Sequence, residues 1–217
     1  MVVYFISGLG ADERAFQRIR LPAGYQIQHI PWEPVKGNET IEAYARQLAK
    51  KIDSSKPFML AGLSFGGLLA VEISKLLKPE KLILFSTVET REELPAVYRL
   101  AGRFRVYKLL PHVVPTYALR FLYWFFGPLD QDGRNLIAAF QKQTDPLFLR
   151  WALMQISRWQ NNTSTSSRIH IHGSRDRTFP VRLTHANYVV EGSGHLCVFT
   201  SANEVNKILE KELSVQI

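Results

Sequence analysis

The sequence predicts an α/β domain built on a doubly wound, mostly parallel sheet, and three observations carry that reading. Short β-rich runs alternate along the chain with segments of helical periodicity, the pattern of strands joined by crossover helices. Two of those runs, PFMLAG (57–62) and KLILFST (81–87), are almost continuously apolar, as central strands buried on both faces require. Between about residues 91 and 165 the strand pattern stops, a proline-punctuated helical block takes its place, and strand-like runs then resume. At 217 residues the chain is the size of one domain with a substantial core.

Taken in order, VVYFIS (2–7) reads as the first strand, and ADERAFQRIR (11–20) after it has helical spacing at Ala11, Phe16 and Ile19. YQIQHIPW (25–32) alternates apolar and polar residues, so it is expected to be a less buried strand near a sheet edge. ETIEAYARQLAKKID (39–53) is amphipathic, with Ile41, Tyr44, Ala45 and Leu48 on one face. PFMLAG gives the third strand, GLLAVEISKLLK (67–78) a helix stopped by Pro79, and KLILFST the fourth strand. The block over 91–165 is broken by Pro95, Pro111, Pro115, Pro128 and Pro146 and reads as several helices. It holds 13 of the chain's 25 aromatic residues, and its basic residues outnumber its acidic ones 10 to 5. RIHIHGS (168–174), HANYVVEGS (185–193) and the amphipathic SANEVNKILEKEL (201–213) then close the pattern. The expected organisation is a single domain with a core over 1–90 and 166–217 and a helical lid, 91–165, inserted between strands four and five.

Composition narrows the function classes. The net charge of +8 and pI near 9.7 raise nucleic acid as a partner. The lysines and arginines are scattered singly, however, with no recognition-helix or zinc-finger pattern, so no nucleic-acid binding is expected. The single cysteine, Cys197, permits no intramolecular disulfide and points to a reducing compartment. The opening MVVYFISG has neither a basic n-region nor a cleavage site, and the most apolar later run, YALRFLYWFFGPL, contains Arg120 and is too short to span a bilayer. A cytoplasmic protein without stable membrane insertion is expected.

Chemistry concentrates at Gly62-Leu63-Ser64-Phe65-Gly66, a G-x-S-x-G motif lying after a buried strand and before a helix. A serine on so sharp a turn has strained backbone angles, and side chains two residues to either side would collide with neighbouring backbone. The helix that follows directs its N-terminal N–H groups toward negative charge developing at the serine. A serine hydroxyl needs a base, and the base needs a carboxylate to orient it. Of the histidines at 29, 112, 170, 172, 185 and 195, only His195 sits in a glycine-rich loop after the last strand, EGSGHLCVF. Asp176 lies in the loop after the preceding strand, HIHGSRDRTFP. In the order Ser64, Asp176, His195, each group follows its own strand and the three constrain one another. Backbone donors for an oxyanion are expected from the N–H of Phe65 and, in the loop SGLGAD (7–12), from the N–H of Leu9.

Rival readings of the same residues are weaker. SGLGAD supplies the first two glycines of a dinucleotide fingerprint, but Glu13 stands where the third belongs, and no Walker A pattern occurs; no cofactor is expected. His170 and His172 share one face of a strand, yet the sequence places no third metal ligand beside them, so packing within the strand is the favoured reading. His29, His112 and His185 default to structural or surface roles. Cys197 reads as a buried small residue, since Ser64 already holds the elbow.

These motifs together, GLSFGG as nucleophile elbow, HGSRDRTFP as acid loop, GSGH as histidine loop and SGLGAD as oxyanion loop, resemble the α/β-hydrolase superfamily, and the resemblance spans essentially the whole chain. Many members carry His-Gly in the oxyanion loop where this chain has Ser7-Gly8. The chain also begins at what the family counts as its third strand. The resemblance therefore implies a minimal six-stranded sheet with order 2-1-3-4-5-6. It also implies a two-step mechanism: Ser64 attacks an acyl carbon with His195 as general base, Asp176 holds the imidazole, and water opens the acyl-enzyme. Members with this triad mostly hydrolyse carboxylic esters or thioesters. Others act on lactones or C–C bonds, form amides, cleave cyanohydrins, or serve as receptors with weak hydrolysis. A small-molecule ester or thioester with an apolar acyl group, received by the aromatic lid RVYKLLPHVVPTYALRFLYWFFGP (105–128), is the expectation; a ligand-binding member with little turnover is the alternative.

Overall fold

The computed structural model describes residues 1–104, 118–165 and 167–214. Six strands form one sheet: β1 (Val2–Ile6), β2 (Gln26–His29), β3 (Phe58–Leu63), β4 (Lys81–Phe85), β5 (Arg168–Gly173) and β6 (Tyr188–Val190), ordered β2-β1-β3-β4-β5-β6. Every pairing is parallel, the arrangement and order anticipated from sequence. β3 is buried along its whole length, whereas three of the four residues of β2 are exposed at the sheet edge. The register aligns Ile6 with Gly62, Leu63 with Phe85, and Gly173 with Val190. The carboxyl ends of β1, β3 and β4 thus lie level, and the order reverses between β1 and β3. In an open parallel sheet the ligand crevice lies outside the carboxyl ends at such a reversal.

Two apolar cores cover the sheet, each taking alternate residues from the strands. On one face, Tyr4, Ile6, Leu60, Leu82 and Leu84 meet α1 (Ile41–Ala49), α2 (Phe65–Leu77) and α6 (Pro146–Arg158) through Tyr44, Leu68, Phe148 and Trp151. On the other, Val3, Phe5, Met59, Ile83 and Ile169 meet α5 (Gln131–Gln143), α7 (Cys197–Thr200) and α8 (Ala202–Ser214). Helix starts are set by side chains that accept otherwise unused first-turn N–H groups. Thr40 caps α1, Asp130 caps α5, and Asp145 caps α6 with Pro146 at the first helical position. α2 ends at Lys78, which takes the left-handed conformation before Pro79.

The segment over 91–165 contributes α3 (Ala96–Arg103), α4 (Ala118–Phe126), α5 and α6. α5 and α6 pack into opposite cores, so this block is tied to both faces of the sheet. His112, Pro111 and Pro115 lie outside the described residues, as does the greater part of the aromatic run before Ala118. Two expectations need correction. The helical spacing over 11–20 yields only a short 3-10 turn, Glu13–Phe16, capped by Asp12; its apolar residues Ala15 and Phe16 are buried, but the chain turns on itself before a full α-helix develops. The final strand is three residues long and begins at Tyr188. His185 lies ahead of it, its ring Nδ1 2.8 Å from the buried Glu93 carboxylate. Among the described residues, no helix is long and apolar enough to cross a membrane.

Candidate active site

Ser64 sits between β3 and α2 with φ 53° and ψ −121°, a conformation an L-residue adopts only under constraint. The constraint is visible in its neighbours. A Cβ on Gly62 would lie 2.4 Å from the carbonyl oxygen of Gly66, and one on Gly66 would lie 2.2 Å from that of Ser7. Both clashes are with backbone, so neither position accepts a side chain without moving β1 or α2. The turn is closed by hydrogen bonds from Ser64 N–H to the Phe85 carbonyl (3.0 Å), and to the Ser64 carbonyl from Gly67 N–H (2.8 Å) and the Thr87 hydroxyl (2.7 Å).

The three residues singled out by sequence order meet at this turn. His195 Nε2 lies 2.8 Å from Ser64 Oγ, and His195 Nδ1 lies 2.7 Å from Asp176 Oδ2. Asp176 leaves the end of β5 in a turn closed by its own N–H to the Gly173 carbonyl. Its second oxygen, Oδ1, accepts the backbone N–H groups of Thr178 (2.8 Å) and Phe179 (3.0 Å). The acid loop is joined to the histidine loop by Arg175 N–H donating to the Ser193 carbonyl. Asp176 and His195 are both buried. Burial alone would raise the Asp176 carboxyl, but the electrostatic pull of the neighbouring His195 and the hydrogen bonds from His172 and His195 outweigh it, taking the carboxyl down to about 2.

Phe65, the first residue of α2, offers a first-turn N–H beside Ser64, one of the group that no intrahelical carbonyl satisfies. The loop after β1 passes close by: a Cβ at Gly8 would come 3.5 Å from the Ser64 Cβ. Leu9, the next residue of that loop, is partly buried against the core on the α1–α2–α6 side.

Several neighbours of the site were not anticipated. The backbone N–H of His195 donates to the Phe126 carbonyl (2.6 Å), and the Phe126 ring stands edge-on to the imidazole at 5.1 Å. α4 therefore holds the histidine loop. Trp32, from the loop after β2, donates its ring N–H to the Ala11 carbonyl and stacks on Phe65 at 5.9 Å. Phe148 of α6 completes this aromatic wall, 4.9 Å from Trp32. His170 and His172 face one another on β5, and His172 also reaches the Asp176 carboxylate at 3.2 Å. The only signal for that contact was the alternation of β5 running four residues into the acid turn. Among the described residues, no group of three or more His, Cys, Asp or Glu side chains is arranged to hold a metal ion. Cys197 is buried with its Sγ 3.3 Å from the Ser86 hydroxyl, and burial pushes its thiol up to about 12. A thiol so far from ionisation is no nucleophile.

No family model and no curated protein sequence matches the chain; solved structures do. A thermophilic esterase from Thermogutta terrifontis superposes with a TM-score of 0.77 at 17% identity, over 99% of this chain and 89% of its own. A bromoperoxidase from Bacillus anthracis gives 0.72 at 15% identity, over 96% and 90%. A thioesterase from the prodiginine biosynthetic pathway in Streptomyces coelicolor gives 0.64 at 18%, over 98% and 90%. These structures share the six-stranded parallel core with helices on both sides, and the chain has the α/β-hydrolase fold.

Proposed function

We propose that the protein is a serine hydrolase of carboxylic esters or thioesters. The observation that carries this reading is the unbroken hydrogen-bond chain from Ser64 Oγ through His195 to Asp176, set on a strained elbow at the head of α2. His195 Nδ1–H donates to Asp176, which leaves Nε2 free to accept the Ser64 proton as Oγ attacks the acyl carbon. The imidazolium then protonates the leaving alcohol or thiol. In the second step the same nitrogen deprotonates water, which opens the acyl-serine and returns the hydroxyl. The carbonyl oxygen gains negative charge in both steps, and the N–H groups of Phe65 and Leu9 are the donors assigned to it. Esterase, lipase and thioesterase neighbours of the same fold support this class of chemistry.

The aromatic cluster of Trp32, Phe65 and Phe148, built on the residue that follows Ser64, supports an apolar acyl group. Phe148 and Phe126 both come from the 91–165 block, which in this reading is the lid over the site. The single buried cysteine fits a reducing, cytoplasmic setting.

Covalent labelling with a fluorophosphonate, compared between wild type and Ser64→Ala, tests the nucleophile. Turnover across short and long p-nitrophenyl esters tests the acyl preference. Ser64-dependent labelling with turnover favouring longer acyl chains is expected. Absence of both labelling and turnover would replace this reading with a ligand-binding role for the same fold.

A further inference from the structure

β5 departs from its neighbours in what it directs into the core. At alternate positions facing the α1–α2–α6 side, β3 and β4 place Leu60, Leu82 and Leu84, whereas β5 places His170 and His172. Both imidazoles are fully buried. Burying a polar ring where a leucine would pack is unfavourable unless its nitrogens find partners, so the partners show what the rings are there for.

His172 Nε2 lies between two acceptors, the Phe179 carbonyl at 2.7 Å and Asp176 Oδ2 at 3.2 Å. A nitrogen facing two acceptors must carry the proton. His172 Nδ1 faces His170 Nε2 at 3.3 Å. Burial first, then the electrostatic influence of His172 and Arg168, lowers His170 to about 3, with a backbone contact at Thr87 opposing. His170 is therefore neutral at pH 7. With the His172 proton on Nε2, His172 Nδ1 is the acceptor of the 3.3 Å contact and His170 Nε2 its donor. The Asp176 carboxylate then has four donors: the N–H groups of Thr178 and Phe179 on Oδ1, and His195 and His172 on Oδ2. The first pair anchors one oxygen, and the second pair sets the rotation of the carboxylate about its Cβ–Cγ bond.

We propose that His172 is a positioning residue of this site: with a proton on Nε2, it donates to Asp176 Oδ2 and turns that oxygen toward His195 Nδ1. The role rests on the hydrolase reading for its consequence in turnover, but not for its geometry. Phe179 belongs to the same device. Its carbonyl holds His172, its N–H holds Asp176, and its ring lies 5.7 Å from the His195 imidazole.

The test uses the full chain and two variants, with Ser64→Ala as the blank. His172→Gln places an amide N–H near the position of Nε2 without an ionisable ring; His172→Leu fills the space with no donor. The rate of fluorophosphonate labelling at Ser64 is expected to fall about tenfold in His172→Leu, the scale of a misplaced catalytic group, and to return to within about threefold of wild type in His172→Gln. NMR of the histidine ring nitrogens gives the second readout. Wild type should show His172 protonated on Nε2 and a far-downfield proton on His195 Nδ1; that proton should move upfield in the leucine variant and recover with glutamine. A folded leucine variant that labels at the wild-type rate with an unmoved His195 proton would overturn the proposal. So would a glutamine variant as slow as leucine, or a wild-type His172 protonated on Nδ1 alone, a measurement independent of whether either variant folds. A wild type that neither labels nor turns over esters, yet shows the predicted ring protons, would sink the hydrolase reading and leave the positioning intact.

Discussion

Replacing Asp176 with asparagine separates what its charge does for catalysis from what it does for stability. The side chain is buried and all four of its near partners are donors: Thr178 N–H, Phe179 N–H, His172 and His195. An asparagine oxygen can still accept the two backbone N–H groups, but its NH2 must then face His195 Nδ1. Two donors cannot pair, so His195 would shift its proton to Nε2 and turn a bare Nδ1 to the amide. Ser64 would then have no acceptor for its proton, and labelling by a fluorophosphonate should fall about 10⁴-fold. Stability changes for a separate reason. The carboxyl is held at about 2 against an ordinary 3.8, and at about 1.4 kcal/mol per unit its ionised form contributes about 2 kcal/mol. Because the folded-state pKa is the lower one, this contribution is complete above pH 4 and disappears as pH falls from about 4 to about 2. Urea unfolding at pH 7 should therefore show Asp176→Asn less stable by about 2 kcal/mol, and the gap between it and wild type should narrow as pH drops through that window. A variant that labels within tenfold of wild type would refute the tautomer argument. A gap independent of pH would refute the assignment of stability to the ionised carboxylate.

Gly66→Ala should be destabilised by about 3 kcal/mol and lose Ser64 labelling, since its Cβ would lie 2.2 Å from the Ser7 carbonyl oxygen, a backbone atom just after β1; an unchanged urea midpoint would contradict the packing argument. Cys197, buried and pushed up to about 12, should resist iodoacetamide at pH 8 in the native protein and react once urea unfolds it, which mass spectrometry of the alkylated chain reads directly. Phe148→Ala should cost about 3 kcal/mol by cavity formation and, on the acyl-pocket proposal, move the ester chain-length optimum upward, because the ring it removes packs against Trp32 and against Phe65, the residue after Ser64; an unshifted optimum would remove Phe148 from the proposed acyl site.

What the sequence made legible is what short spacings encode. Gly62 is required by backbone contacts within its own strand–turn–helix unit and Gly66 by the backbone at the end of β1, so the motif and its geometry are closely tied. Asp176 and His195 could be named because each follows a strand in a parallel sheet, and parallel strands bring their carboxyl ends to one side. The buried runs of β3 and β4 announced themselves by lacking any polar alternation. The weaker elements carried less information: the apolar residues over 11–20 had helical spacing, but too short a stretch to outweigh the turn that follows Asp12. The final strand was set by three pairings to β5, not by the length of its own apolar run.

Contacts between segments distant in the chain were not legible, because nothing in local periodicity encodes them. Phe126 reaches His195 across 69 residues, and Trp32, Phe65 and Phe148 converge from three separate elements. His172 is the instructive case between these limits. Strand alternation correctly put it on one face with His170, and packing was the natural inference. What alternation could not show is that β5 ends one residue later, at Gly173, and that the acid turn folds back over that same face. The turn carries the carbonyl of Phe179 and the carboxylate of Asp176 onto one imidazole nitrogen. A histidine four residues before the acid, pointing into the core at a strand's last alternation, is thus a sequence feature with a stated geometric consequence: its Nε2 can reach the carboxylate only when the strand ends between them. A one-residue slip in the register of β5 would turn the ring to the opposite face and leave Asp176 with three donors instead of four.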